Sequence, residues 1–265
     1  MADERGNMIN DFTDGQVTFE VQGNVALITL CRPRKRNALN FTMRQQLRDA
    51  FDAYSADGDL RCAVLASQGP VFCAGGDLKE MAAGDLGEVP PEWMQLMGSG
   101  PELDKPTIAA VRGPALAGGF YLAQSCDLCV AGESAEFAIT EARRGRGAPW
   151  ATPLVSMVPR RIMLELLLTA EPIDARRAYE VGMVNNLVPD EDVLKTAMNL
   201  ANTIAANAPL SVAAGKRMVR LAEDVGPHAS REPAEWLFLK AYQSEDALEG
   251  PRAFAEKRMP IWKGR

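Results

Sequence analysis

The 265-residue sequence has a single histidine, His228, and that scarcity removes whole classes of chemistry. His228 stands in the loop-like run Val225-Gly-Pro-His-Ala-Ser230, which leaves a Ser-His-Asp or Cys-His mechanism without a well-placed base. The pair in Cys126-Asp-Leu-Cys129 has zinc or redox spacing, but zinc needs a second ligand pair and the sequence offers none. These two cysteines therefore read as small buried residues near a strand, and no metal is expected. No apolar run approaches the roughly 18–20 residues of a membrane span, so no membrane partner is expected. No long Lys/Arg block is present either. The 29 basic and 35 acidic side chains leave a net charge of −6, a poor basis for binding nucleic acid. A few placed cations could still hold a small anionic ligand. The five cysteines (Cys31, Cys62, Cys73, Cys126 and Cys129) are odd in number, and residues 1–11 do not form a signal peptide. Reduced thiols in a cytoplasmic protein are the expectation.

What is present reads as a globular chain of one or two domains, with 47% apolar and 24% charged residues. The first ten to twelve residues are polar and read as a flexible N-terminus, residues 1–12. Residues 17–21 and 25–30 read as strands joined by Gln22-Gly-Asn24. Asn40 is a plausible N-cap for a helix to about Tyr54, with Met43, Leu47, Ala50, Phe51 and Tyr54 on one face. Residues 62–66 suit a buried strand, with a glycine-rich turn and a helix from Leu78 after it. The stretch 82–100 reads as a mobile loop with a short helix around Trp93. The pattern then repeats: strand 107–111, glycine-rich turn 113–119, helix 120–125, strand 128–131. This is an α/β reading with crossover units. Past Pro149 only helices are expected, at 161–168, 174–181, 191–206, 210–223 and 232–247, with a further turn or two at 251–257. The division is an α/β core over 13–195 and a helical region over 196–265.

Two glycine-rich segments follow apolar strands: Val71-Phe-Cys-Ala-Gly-Gly-Asp-Leu78 and Val111-Arg-Gly-Pro-Ala-Leu-Ala-Gly-Gly-Phe120. Neither is G-x-G-x-x-G, and neither ends in the Gly-Lys-Ser/Thr of a phosphate loop. Two glycine turns that open helices can aim two backbone N–H groups at one point, which makes an oxyanion hole. The competing reading is that Gly75, Gly76, Gly118 and Gly119 serve only tight turns and close packing.

Several strings resemble the crotonase superfamily, also called the enoyl-CoA hydratase/isomerase family. Ile28-Thr-Leu-Cys-Arg-Pro-Arg-Lys-Arg-Asn-Ala-Leu-Asn40 is similar to its opening, and Phe72-Cys-Ala-Gly-Gly-Asp-Leu-Lys-Glu-Met81 to its first oxyanion loop. The segment Gly113-Pro-Ala-Leu-Ala-Gly-Gly-Phe-Tyr-Leu-Ala-Gln-Ser-Cys-Asp127 is similar to its second. Ala131-Gly-Glu-Ser-Ala-Glu-Phe-Ala-Ile-Thr-Glu141 resembles the approach to an active-site carboxylate, and Ala253-Phe-Ala-Glu-Lys-Arg-Met-Pro260 the C-terminal helix. The likeness runs in order from about residue 17 to 264. It implies a crotonase-like spiral of repeated ββα units with a helical C-terminal trimerisation region, and a homotrimer or dimer of trimers. It also implies an acyl-CoA substrate, coenzyme A being part of the substrate so that no separate cofactor is needed. The N–H groups of Gly76 and Gly118 would bind the thioester oxygen, and Glu141 would be the acid/base group. CoA would lie along the Arg34-Lys35-Arg36 to Ala38 segment and the loop from Ala74 through Asp77 to Leu78, with Phe254 and Lys257, from a neighbouring subunit, near its nucleotide end.

The sequence departs from the hydratase pattern at one position. Family hydratases use two glutamates, and here the first is Tyr121. A phenol of ordinary pKa near 10 is a poor base, though it can donate a hydrogen bond or a proton. One carboxylate suffices to move a double bond from the 3,4 to the 2,3 position, so the isomerase-like reading is preferred. Hydration or hydratase-lyase chemistry by Glu141 with Tyr121 is one alternative, and a non-catalytic acyl-CoA binder is another. The cations Arg143, Arg144 and Arg146 follow Glu141 closely. Two of them are expected to face solvent or acidic neighbours, with Arg146 left open.

Overall fold

The computed structural model describes residues 9–11, 15–83, 95–98 and 103–265. The stretch around Trp93 lies outside the described residues, as do residues 1–8 and 12–14 of the N-terminal stretch.

Among the described residues the main sheet has seven strands. β1 (Ile9–Asp11) falls inside the stretch read as flexible and pairs antiparallel with β2 (Val17–Gln22). β2 forms a hairpin with β3 (Val25–Leu30). Beside β3 lie β4 (Cys62–Ser67), β5 (Thr107–Val111), β7 (Leu128–Gly132) and β10 (Asn186–Val188), all parallel. The central strands are covered on both faces, which is why they read as continuous apolar runs rather than alternating ones. One face carries Ala26, Ile28, Leu30, Ala63, Leu65, Ala109 and Val111 into the larger core. Helix α1 (Phe41–Ala56) covers it with Met43, Leu47, Ala50, Phe51 and Tyr54, all fully buried. Asn40 caps α1 by accepting from the Met43 N–H at 3.0 Å. On the other face Val25, Leu27, Val64, Ile108 and Val130 meet a helix from the C-terminal part of the chain.

Between β4 and β5 lies α2 (Leu78–Ala83). After β5, a second sheet orders the middle of the chain. β6 (Ala115–Leu116) precedes α3 (Gly118–Ser125), and β8 (Glu136–Ala138) pairs parallel with β6. β9 (Ile173–Asp174) completes this three-stranded sheet, antiparallel to β8.

The expectation of helices alone past Pro149 is corrected by β9 and β10. Strands of two and three residues carry no periodicity to read. The remaining helices are α4 (Leu154–Met157), α5 (Arg160–Thr169), α6 (Ala175–Glu180), α7 (Val193–Ala205), α8 (Pro209–Val225), α9 (Arg231–Tyr242) and α10 (Glu245–Ala255). Helix α7 lays Val193, Ala197, Ala201 and Ala205 on the second face of the sheet. These residues recur every fourth position and three are alanine, so the helix sits close to the strands. The division read at residues 195/196 falls inside this helix. The helix read over 232–247 is two helices, because Ser244 ends one run and caps α10 through the Ala247 N–H at 3.2 Å. Pro251 lies within α10 and does not open a separate turn.

Candidate active site

Three loops leave the C-terminal ends of the neighbouring parallel strands β3, β4 and β5, so topology alone brings them to one edge of the sheet. Backbone hydrogen bonds lock them together. Leu39 N–H donates to Gly75 O at 2.8 Å and Asp77 N–H to Leu39 O at 3.1 Å, while Leu116 N–H donates to Cys73 O at 2.9 Å. The fully buried Asn37 crosses from the first loop to the second, its Nδ2 donating to Gln68 O and Val71 O. Arg32 Nη1 reaches both Ala38 O at 2.9 Å and Asp77 Oδ2 at 2.8 Å. That hydrogen bond from Arg32 is the main reason the Asp77 carboxyl is held below the usual range.

The four glycines divide by role. Gly75 has φ +89°, and a Cβ there would lie 2.8 Å from Ala117 Cβ. A Cβ on Gly119 would lie 2.2 Å from Cys73 O. These two are demanded by packing. Gly76 and Gly118 would meet only side-chain ends, Met81 Sδ at 2.9 Å and Leu39 Cδ1 at 3.0 Å. Neither of their N–H groups donates to a partner among the described residues. Gly76 is bracketed by the two bonds to Leu39, which turns its own N–H the other way. Gly118 opens α3, where a first-turn N–H has no intrahelical acceptor. Its aim is set by Ala117, at φ +50° and ψ −118°, a conformation costing an L-residue about 1–3 kcal/mol. The Ala117 N–H bond to Ala138 O at 2.9 Å holds it there.

Ala138 ends β8, and three residues later stands Glu141, at the start of a 3-10 turn. The pairing of β6 with β8 is thus what carries the carboxylate to the loop that opens α3. Glu141 Oε1 accepts from Trp150 Nε1 at 2.9 Å, and Oε2 is buried with no hydrogen-bond partner. Burial raises the Glu141 carboxyl above the usual range, outweighing the opposing pulls of the residue's own backbone N–H and, after it, of the Trp150 hydrogen bond. Tyr121 lies on the first turn of α3, half-buried, its ring centroid 5.7 Å from that of Trp150. Burial pushes its phenol up as well, which makes it a still poorer base. Arg44 of α1 is buried beside Gly76, and burial lowers its guanidinium to about 10.

These groups share one cleft of about 790 Å³. Ala38, Ala74, Gly76, Asp77, Leu78, Gly118, Tyr121 and Glu141 line it. Arg34 does not: it is exposed on the turn Pro33–Lys35, whereas Lys35 and Arg36 of the same segment do line the cleft. Phe254 and Lys257 are also outside the cleft of their own chain. Eight cationic residues line the walls against three acidic ones, Asp77, Glu80 and Glu141. Asp77 is tied to Arg32, and Glu80 Oε2 accepts from Phe41 N–H at 2.9 Å. Arg143, Arg144 and Arg146 all reach the lining, and Arg143 also pairs with the acidic Glu171 at 2.5 Å. Cys126 and Cys129 are buried, and burial pushes both thiols up, that of Cys129 to about 12. Among the described residues, no group of three or more His, Cys, Asp and Glu could hold a metal ion, and no helix is long and apolar enough to cross a membrane.

Sequence reasoning missed Arg32, Asn37, Arg44 and Trp150 as parts of the site. Arg44 left one signal, a charge beside the apolar stripe of α1. Trp150 closes the run Gly145-Arg-Gly-Ala-Pro-Trp150, whose spacing alone does not reveal the contact to Glu141.

The family model described as enoyl-CoA hydratase/isomerase matches residues 20–265. The enoyl-CoA hydratase EchA19 of Mycobacterium tuberculosis is 40% identical over 255 residues, covering 93% of this chain and 96% of that protein. The 2,3-dehydroadipyl-CoA hydratase of Escherichia coli is 36% identical, covering 92% and 97%. A crystal structure of a probable enoyl-CoA hydratase/isomerase from Mycobacterium abscessus superposes with a TM-score of 0.85 at 40% identity, covering 94% and 99%.

Proposed function

This chain belongs to the enoyl-CoA hydratase/isomerase family and is an enzyme acting on acyl-CoA, and from that premise we propose that it moves a carbon–carbon double bond by proton transfer at the α-carbon of the thioester. The observation that carries this reading is Glu141, which lines the cleft and keeps one carboxylate oxygen, Oε2, without a hydrogen-bond partner. Asp77 and Glu80, the other acidic groups of the described lining, are engaged in holding loops.

The Gly76 and Gly118 N–H groups receive the thioester carbonyl oxygen, which becomes more negative as the α C–H bond breaks. Each such donor is worth roughly 3–4 kcal/mol of barrier. Glu141 Oε2 takes the α-proton, and the electron pair delocalises through the carbonyl and the 3,4 double bond to give a dienolate. The same carboxyl then returns the proton to the γ-carbon, leaving a 2,3 double bond. The cationic lining complements the phosphates of CoA, with Lys35 and Arg36 on the loop that also carries Ala38. The reaction needs no cofactor beyond the CoA of the substrate. The five free cysteines fit a reducing, cytoplasmic setting. We also take the chain to act as a homotrimer or dimer of trimers.

A second reading, hydration of a 2-enoyl thioester by Glu141 with Tyr121, is favoured by the hydratase names of the relatives and by the place of Tyr121 in the lining. Both readings are tested by giving wild type, Glu141→Gln and Tyr121→Phe a 3-enoyl-CoA and a trans-2-enoyl-CoA. Isomerisation, hydration and α-deuterium exchange are followed separately. We expect isomerisation by wild type and a loss of about 10²–10⁴-fold in kcat for Glu141→Gln, with KM little changed. Unchanged turnover in Glu141→Gln would remove the glutamate mechanism. Efficient hydration without isomerisation, lost in Tyr121→Phe, would replace the first reading by the second. Tight acyl-CoA binding with no deuterium exchange would mark a non-catalytic binder.

A further inference from the structure

Glu141 is held by a residue that is itself held from the helix beginning at the oxyanion donor. Gly118 opens α3, and three side chains of the same helix grip Trp150. Phe120 meets its ring edge-on at 5.9 Å between centroids, and Tyr121 lies at 5.7 Å. Gln124 Nε2 donates to the Trp150 carbonyl at 2.6 Å. The indole N–H then reaches Glu141 Oε1 at 2.9 Å. A carboxylate turns about a broad, two-fold torsion, so without a partner its two oxygens would exchange places freely. Here one oxygen is tethered and the other is buried with no partner.

We propose that Trp150 is a positioning residue: its N–H fixes Glu141 through Oε1, leaves Oε2 as the one oxygen that moves the proton, and references the base to the helix that carries the Gly118 N–H. The inference rests on Glu141 being the working base. It explains how a lone carboxylate on a short 3-10 turn keeps a defined direction. Burial alone would drive Glu141 toward its neutral form, and the donated N–H opposes that by favouring the carboxylate.

The test is Trp150→Phe, which keeps an aromatic ring against Phe120 and Tyr121 but removes the donor. A base works when ionised, so activity falls as pH drops through its pKa. Loss of the N–H raises that pKa, and the acidic limb of the kcat/KM profile should move up by about one pH unit. We expect kcat at the plateau to fall about 10-fold with KM within about twofold, because a phenyl ring keeps the apolar face of Trp150 in the lining and the glycine N–H groups and the cations of the cleft are unchanged. In a Glu141→Gln background the same substitution should have no further effect on the residual rate, since it acts through the carboxylate. Replacing Trp150 by benzothienylalanine, which exchanges N–H for sulfur in the same bicyclic shape, gives the same readout should the phenylalanine variant fold poorly. An unmoved acidic limb, or an equal fold-loss in both backgrounds, would reduce Trp150 to packing and overturn the inference while leaving Glu141 as the base. Full turnover in Glu141→Gln would overturn both.

Discussion

Gly76 and Gly119 look alike in the sequence, yet the structure gives them opposite tolerances. Gly76 lies outside the left-handed region, and an added methyl meets the flexible end of Met81. Gly76→Ala should fold normally, with Tm within about 3 °C of wild type, and should retain the N–H proposed to bind the thioester oxygen, so kcat should stay within a few-fold. Gly119→Ala would drive a Cβ to within 2.2 Å of the Cys73 carbonyl oxygen, a backbone atom fixed by the Leu116 N–H. A cost of at least about 4 kcal/mol follows, lowering Tm by about 8 °C or more. Thermal unfolding of the two variants side by side checks the contrast, and equal losses would refute it. At this scale the sequence disclosed the glycines and Glu141, because their types are chemically narrow. It hid Trp150, Arg32 and Arg44, whose roles depend on contacts 9 to 45 residues away in the chain.

Short strands, rather than long helices, decide where the chemistry sits. The amphipathic spacing of α1 and the apolar runs of β3 to β5 and β7 were legible because burial on a face leaves a periodic trace. β6 and β8 were not, since two or three residues show no period, yet their pairing carries Glu141 to Gly118. The tethering of α8 to the sheet was also hidden. Asp127 Oδ2 accepts from Thr107 N–H at 2.8 Å, Thr107 Oγ1 at 3.0 Å and Lys216 Nζ at 2.7 Å. The Lys216 side chain is only 9% exposed, so its charge depends on that carboxylate. Asp127→Asn can still accept from Thr107 but strands the ammonium, for an expected loss of about 1.5–3 kcal/mol. Adding Lys216→Met removes the stranded charge and should recover part of that loss, as replacing a whole buried pair usually does. A double variant no more stable than Asp127→Asn in urea titration would refute this account of the tether.

The C-terminal helices bury little of their surface within one chain. Helix α8 buries a single residue, Ala214, over 17 positions, and α9 buries only Ala241 over 12. Meanwhile Trp236, Tyr242, Leu248 and Phe254 are 69%, 73%, 70% and 84% exposed. Isolated exposed apolar residues are ordinary, but four large ones within 19 residues of chain are a surface waiting for cover. Covering each gains roughly 1.5–3 kcal/mol. A closed ring of heterologous contacts supplies that cover without leaving an open end, and it would also give Phe254 and Lys257, which lie outside their own cleft, a neighbour's cleft to approach. We therefore expect light scattering at micromolar concentration to give three or six times the 28.7 kDa chain mass. Trp236→Asp places a charge on the covered surface and should shift the distribution toward smaller species. If Phe254 and Lys257 do serve a neighbouring cleft, that variant should also bind acyl-CoA more weakly, with KM rising as the mass falls. A monodisperse wild-type monomer would refute the ring. An intact ring in Trp236→Asp would remove Trp236 from the contact, and a lost ring with unchanged KM would confine each site to its own chain.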